Sequence, residues 1–351
     1  MKPIRGPALM LALVVVLGTA GVGHAQRTLK IFMVPKFTGA AYFAATEKGA
    51  REAVAALKSK GIAIDFLYTG PSVANTDEEI KMIDDLVAQK PDALIISAND
   101  AEALVPVAKK AQAAGIKVIT YDADVADPSA RSWFVNQGTF TLVGAALIDV
   151  VAEQAGPTAR FAIVSADPGA FNQNSWIAAM KARVSARYPK MQLVDVRYGY
   201  DKPAESYSVA QDLINKFRGK LDAIIAPTSV ALPKVAEAVE QAGMTGKIVV
   251  TGLSTPNDMK PFVKNGTVKT VVLWSPVDLG YLAVYAAQET VAGTLPQGAK
   301  TAVVQAGRLG TRQAVAQMQD ITAKGSVTLK NIILLGPPFK FTKENIDQFN
   351  F

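Results

Sequence analysis

"PDALIISANDAEALVPVAKKAQAAGIKVITYDAD", residues 91–124, lies over "LDAIIAPTSVALPKVAEAVEQAGMTGKIVVTGLST", residues 221–255. Asp92 matches Asp222, Ala103-Leu104 matches Ala231-Leu232, and Ala114-Gly115 matches Ala242-Gly243. Each segment reads as a βαβ unit, an apolar strand followed by one helix and a second apolar strand. Strands that are apolar throughout belong to parallel sheets covered on both faces. The duplication therefore predicts two α/β lobes of one design.

The surrounding chain keeps the same rhythm. Leu29 to Val34, Ile62 to Leu67, Ala93 to Ser97 and Lys117 to Thr120 read as strands, separated by helices at Phe43 to Lys58, Thr76 to Gln89 and Ala103 to Ala114. Ile80, Ile83, Leu86 and Val87 share one helical face at spacings of three and four. The pattern restarts with strands near Arg160 to Val164, Leu193 to Arg197, Ala223 to Ala226 and Ile248 to Thr251, and helices from Asn172, Ala204 and Leu232.

The first 25 residues read as a cleaved export signal. Lys2 and Arg5 precede an apolar stretch from Pro7 to Val22, and Gly23-His24-Ala25 supplies small residues for cleavage before Gln26. That stretch falls short of the ~20 residues that span a bilayer. The chain has no cysteine, and its one histidine, His24, leaves with the signal. A periplasmic protein without disulfides is expected. Removing Lys2 and Arg5 from the 37 basic residues leaves a mild excess over the 30 acidic ones, without the dense basic run that a nucleic-acid groove needs. Without histidine or cysteine the mature chain lacks the usual nucleophile–base pairs and the commonest metal ligands. No enzyme, cofactor or metal is expected, although paired carboxylates such as Asp122 and Asp124 are capable of acid–base work.

Open parallel sheets bind ligands outside the carboxyl ends of their strands, so two such lobes face each other across a cleft. The ends in the first lobe carry Lys36, Gly70, Asn99-Asp100 and Asp122-Ala123-Asp124; those in the second carry Asp167, Pro227-Thr228-Ser229 and Ser254-Thr255. Asn172-Gln173-Asn174 opens a helix beside them. Amides, carboxylates, hydroxyls and an ammonium suit a ligand dense in hydroxyls, and Tyr42, Phe43, Trp176 and Trp274 offer faces for the C–H side of a sugar ring. Singly, Asp122, Asn99 and Ser254 also read as helix caps or loop residues, and Asn172 as the N-cap of its helix. Lys36, held one residue beyond a buried strand by Pro35, reads as a pocket residue balanced by Asp122.

Nine segments occur in an order that carries a family resemblance: "VPK" at 34–36, "YTGP" at 68–71, "TYDAD" at 120–124, "VNQGT" at 135–139, "NQNSW" at 172–176, "IAPTSVALP" at 225–233, "GLSTPNDMKPFVKNGTVK" at 252–269, "LW" at 273–274 and "FTKENI" at 341–346. Across essentially the whole mature chain the sequence resembles the periplasmic sugar-binding proteins of ABC importers, in the type I ribose-binding cluster. It is most similar to rhamnose-binding and autoinducer-2-binding members. The resemblance implies a first lobe of residues 26–137 plus 275–302 and a second of 138–274 plus 303–351. Crossings are implied near Gln137 to Thr139, Val272 to Trp274 and Thr301 to Val304. It also implies a monomer that closes on its ligand and docks on an inner-membrane permease.

By that resemblance the autoinducer-2 site maps onto Lys36, Asp122, Asn172, Gln173, Pro227 and Ser229. Here Asn172 stands where an aspartate is usual and Ser229 where an alanine is. The rhamnose-type segments, "SANDAEAL" at 97–104 and "SPVDLGY" at 275–281 among them, bring in Asn99, Asp100, Asn174 and Asp278. Two rival readings accompany this one: a receptor presenting its ligand to a membrane sensor for chemotaxis or quorum sensing, and a repressor of the same fold. The repressor lacks its helix-turn-helix, since an export signal stands in its place.

Overall fold

The computed structural model describes residues 27–298 and 301–351, so the expected export signal lies outside the described residues. The chain opens with β1 (Leu29–Val34), α1 (Ala41–Ser59), β2 (Ile64–Tyr68), α2 (Thr76–Val87), β3 (Ala93–Ile96), α3 (Val105–Ala113), β4 (Lys117–Tyr121) and β5 (Trp133–Asn136). These strands pair in parallel in the order β2-β1-β3-β4-β5. Alternate residues of β1 feed opposite layers, as the strand pleat requires. Ile31 and Met33 join Ala50, Ala53 and Leu57 of α1, whereas Phe32 and Val34 join Ile83 and Leu86 of α2 and Val107 and Ala111 of α3. Helices on both faces are why β1 and β3 tolerate an unbroken apolar sequence.

The second lobe is α4 (Phe140–Ala155), β6 (Arg160–Ser165), α5 (Phe171–Arg187), β7 (Gln192–Tyr198), α6 (Pro203–Phe217), β8 (Ala223–Ala226), α7 (Ala231–Gln241), β9 (Val249–Gly252), α8 (Pro256–Lys264) and β10 (Val271–Leu273). Its parallel sheet runs β7-β6-β8-β9. The matched aspartates of the internal repeat do the same work in both lobes. Asp92 accepts from the Lys30 amide at 2.8 Å and Asp222 from the Arg160 amide at 2.7 Å, each tying the start of one strand to the next.

After β10 the chain returns to the first lobe as α9 (Pro276–Ala292), which packs along α1 so closely that only glycine fits at two positions. A Cβ on Gly49 would stand 1.7 Å from the Val277 carbonyl oxygen, and one on Gly280 2.0 Å from that of Thr46. The strands β11 (Thr301–Gln305), β12 (Thr311–Thr322) and β13 (Gly325–Leu334) follow. They form an antiparallel meander whose last member pairs in parallel with β5, giving an eight-stranded first sheet among the described residues. Only then does the chain cross again, and β14 (Phe339–Phe341) pairs with β10.

This corrects the expected third crossing and the expected lobe boundary at 302/303. Thr301 to Val304 is an edge strand of the first sheet, and the third crossing is Leu334 to Phe339, through Gly336-Pro337-Pro338. The physical cause is the hairpin at Thr322↔Gly325, which holds β12 and β13 in register with β5. The hairpin also reaches the second lobe. Asp320 accepts from the Phe140 and Thr141 amides at 2.7 and 3.0 Å, compensating the positive start of α4. The first and third crossings lie side by side, the Leu335 amide donating to the Asn136 carbonyl at 2.9 Å.

Candidate functional site

Strand ends of the two lobes converge on a cavity containing about 410 Å³ of space not filled by protein atoms. The first lobe contributes Lys36, Phe37, Tyr42, Phe43 and Asp122; the second contributes Asn172, Gln173, Trp176, Asp201, Pro227, Thr228 and Ser229; the second crossing adds Leu273 and Trp274.

Each polar member is aimed by its local structure. Lys36 leaves β1 through Pro35, and its carbonyl is held by the Asn99 side-chain amide at 2.7 Å. Its ammonium, in a residue only 4 % exposed, spans the lobes to Asn172 Oδ1 at 3.5 Å. Asp122 follows β4 with φ 61°, a left-handed conformation that costs a non-glycine residue energy and turns its carboxyl into the cleft. That carboxyl accepts from Tyr42 at 2.9 Å and Ser97 at 2.8 Å, while Trp274 donates to the Tyr42 oxygen at 3.0 Å. Asn172 and Gln173 lie in the first turn of α5, whose N-cap is Ala170, so the Asn172 amide is spared for the cleft. Trp176, one turn on, shares their face. Its ring lies 5.7 Å from that of Trp274, and Tyr42 meets both Phe43 and Trp274 edge to face.

Burial dominates the electrostatics. It raises the Asp122 carboxyl above its ordinary range, with the Lys36 charge and the Ser97 and Tyr42 hydroxyls pulling the other way. Asp201 is raised for the same reason, opposed by Lys36 and by the hydrogen bond from Thr228. One ammonium thus offsets the burial of two carboxyls. Gln173 Oε1 and Trp176 Nε1, on two residues that line the cavity, are buried without a hydrogen-bond partner among the described residues.

Eleven expected residues meet at this cavity: Lys36, Tyr42, Phe43, Asp122, Asn172, Gln173, Trp176, Pro227, Thr228, Ser229 and Trp274. Six do not line it. Asn99 stands behind Lys36, its amide shared between the Lys36 carbonyl and Glu79. Asp100 holds the turn before α3 by accepting from the Glu102 and Ala103 amides, each at 2.9 Å. Asp124 points away into a buried ion pair with Arg131 at 2.6 Å. Asn174 donates to the Pro168 carbonyl at 2.6 Å; two residues beyond Asn172, it is rotated off the cleft face of α5. Ser254 supports the wall from behind by donating to the Ser229 carbonyl at 3.0 Å. Asp278 pairs with Arg308 on the outer surface, because its helix packs on α1 rather than across the cleft.

Asp201 was missed by the sequence reading, along with Phe37, Leu253 and Leu273. A signal for Asp201 existed: "GYDK" at 199–202 closes β7, and the strand-end rule applied to the other strands reaches it directly.

The site offers donors, acceptors and aromatic faces to a small polar molecule. Among the described residues there is no cluster of three or more histidines, cysteines and carboxylates able to hold a metal, and no helix is long and apolar enough to cross a membrane. Residues 31–295 match the periplasmic binding protein domain. The D-ribose/D-allose-binding protein of Pseudomonas aeruginosa is 26 % identical over 292 residues, covering 80 % of this chain and 89 % of its own. Two solved structures share the fold over 92 % of the chain. LsrB from Clostridium saccharobutylicum, in complex with AI-2, has a TM-score of 0.80 at 26 % identity over all of its length. An ABC transporter solute-binding protein from Clostridium phytofermentas, with bound L-rhamnose, has 0.79 at 27 % over 98 % of its own. The chain therefore belongs to the periplasmic binding protein family, in its two-lobed type I form.

Proposed function

We propose that the chain is the solute-binding subunit of an ABC importer and closes its lobes on a monosaccharide or related hydroxylated small molecule. One observation carries this reading: Lys36 of one lobe and Asn172 of the other meet over a cavity where Gln173 and Trp176 keep unpaired polar atoms. A hydroxylated ring satisfies those atoms, and Tyr42, Phe43 and Trp274 give its apolar faces contact. Ligand bound to both lobes makes contacts that an open form lacks, so it shifts the population toward closure. The protein binds without transforming its ligand, acts as a monomer in the periplasm after export, and hands its cargo to an inner-membrane permease. Relatives solved with L-rhamnose and with AI-2 set the range of ligands to try.

A thermal-shift panel of L-rhamnose, D-ribose, D-xylose, D-arabinose and AI-2 tests it. A ligand at a hundred times its Kd stabilises the folded state by about 2.7 kcal/mol. A clear rise in Tm with at least one panel member is expected, and no rise with any of them refutes the reading. Unchanged sugar recovered after long incubation is expected as well, whereas any product marks an enzyme.

A further inference from the structure

A second cavity, with about 660 Å³ of space not filled by protein atoms, lies between the same lobes, sharing Lys36 and Asp201 with the first. Thr76 and Asp100 wall it on one side, Asp167 and Tyr200 on the other. The lobes close around it: a Cβ on Gly169 of the second lobe would stand 2.5 Å from an oxygen of Asp100 of the first. Asp100 and Asp167 each spend one oxygen on backbone amides, and the other accepts no hydrogen bond among the described residues.

The wall between the cavities is a turn of unusual composition. The Lys202 amide donates to the Gly199 carbonyl at 2.9 Å, and the two residues between them are left-handed, Tyr200 at φ 54° and Asp201 at φ 48°. This is the pattern of a type I′ turn, where glycine, asparagine and aspartate are the comfortable occupants and tyrosine is not. The turn hangs from the end of β6, the Gly199 and Tyr200 amides donating at 2.8 Å to the Ser165 and Ala166 carbonyls. Held in this way, it places Asp201 on the walls of both cavities and Tyr200, 47 % exposed, on the wall of the outer one. A strained backbone that presents an unsatisfied apolar face at a cleft points to a contact made with something in that cleft.

We propose that the outer cavity is a second sugar subsite and that the ligand class is a disaccharide. One ring occupies the inner cavity, the glycosidic link passes beside Lys36 and Asp201, and the second ring lies against Tyr200. Asp100, Asp167 and Thr76 accept its hydroxyls. This rests on the proposed sugar-binding reading and extends it.

Calorimetric titration of the exported chain with two pairs of probes tests the inference: L-rhamnose against rutinose, and D-xylose against xylobiose. At least one disaccharide is expected to bind as tightly as its monosaccharide or more so. Tyr200→Gly removes the ring while suiting the left-handed backbone, so the unliganded Tm holds or rises. It is expected to weaken that disaccharide about three- to tenfold, the worth of one aromatic contact, and to leave the monosaccharide within about twofold. Monosaccharide binding with both disaccharides more than about tenfold weaker overturns the second subsite alone. Equal weakening of both ligands by Tyr200→Gly also overturns it, since the turn then acts only as scaffold. If none of the four sugars binds, the second subsite is overturned, and the sugar-binding reading falls with it only when the thermal-shift panel is silent as well.

Discussion

Replacing Lys36 with methionine removes one ammonium from the centre of the cleft while keeping a side chain of similar length and packing volume. Lys36 is 4 % exposed, its only side-chain hydrogen bond among the described residues is the long one to Asn172 at 3.5 Å, and its charge opposes the burial of Asp122 and Asp201. A ligand hydroxyl that loses a charged donor forfeits about 1.5 to 3 kcal/mol, which is roughly a ten- to hundredfold rise in Kd. The two carboxyls, deprived of their cation, also hold protons to higher pH. Their ordinary behaviour has a definite sign. Because both are raised by burial, the stability they contribute is full below the unfolded carboxylate range and is lost as pH rises through their folded values. Ligand binding runs the opposite way, since the charged acceptors disappear as pH falls through those values. In Lys36→Met the acid loss of affinity therefore begins at higher pH than in the parent protein. Calorimetric titration across pH 5 to 8 with the sugar that raises Tm most, together with the Tm of the unliganded variant, measures all of this. A Kd within about twofold of the parent, or an acid limb that does not move, refutes the assignment of Lys36 as the ligand's cationic donor.

Two further substitutions separate fold from site. Glu79 is fully buried, its carboxyl is pushed up to about 8 by desolvation, and it accepts from both the Asn99 amide and side chain at 3.0 and 2.8 Å. The stability it contributes is therefore full below about 4.5 and lost as pH rises through about 8, at about 1.4 kcal/mol per pH unit across the window. Glu79→Gln, which keeps an acceptor for Asn99 but cannot ionise, is expected to flatten this loss in urea denaturation, and parallel pH profiles refute it. Asp124→Asn breaks the buried pair with Arg131 and is expected to lower stability by about 3 to 5 kcal/mol. Because Asp124 lies outside the cavity, sugar affinity measured at a temperature where the variant is folded should stay within about twofold of the parent.

Much of the site was legible because one rule, that parallel sheets bind at their carboxyl ends, converts strand boundaries into candidate residues. Lys36, Asp122, Pro227 and Ser229 follow from it directly. The rule locates the backbone and not the direction of the side chain. Asp122 and Asp124 share one segment, yet the left-handed turn at Asp122 sends its carboxyl to the cleft while Asp124 binds Arg131. Asn172 and Asn174 look equivalent in "NQNSW", but helix rotation divides them between cleft and outer surface.

The sequence by itself determined the duplicated α/β design, because apolar strands and amphipathic helices are local patterns that burial on two faces imposes residue by residue. It also determined the chemical character of the strand ends. Only tertiary structure decided that β12 and β13 extend the first sheet and move the third crossing to Gly336-Pro337-Pro338, since strand pairing with β5 depends on partners nearly 200 positions away. It alone decided which polar groups face the cleft, because that depends on how a single backbone turn or helix face meets the opposite lobe.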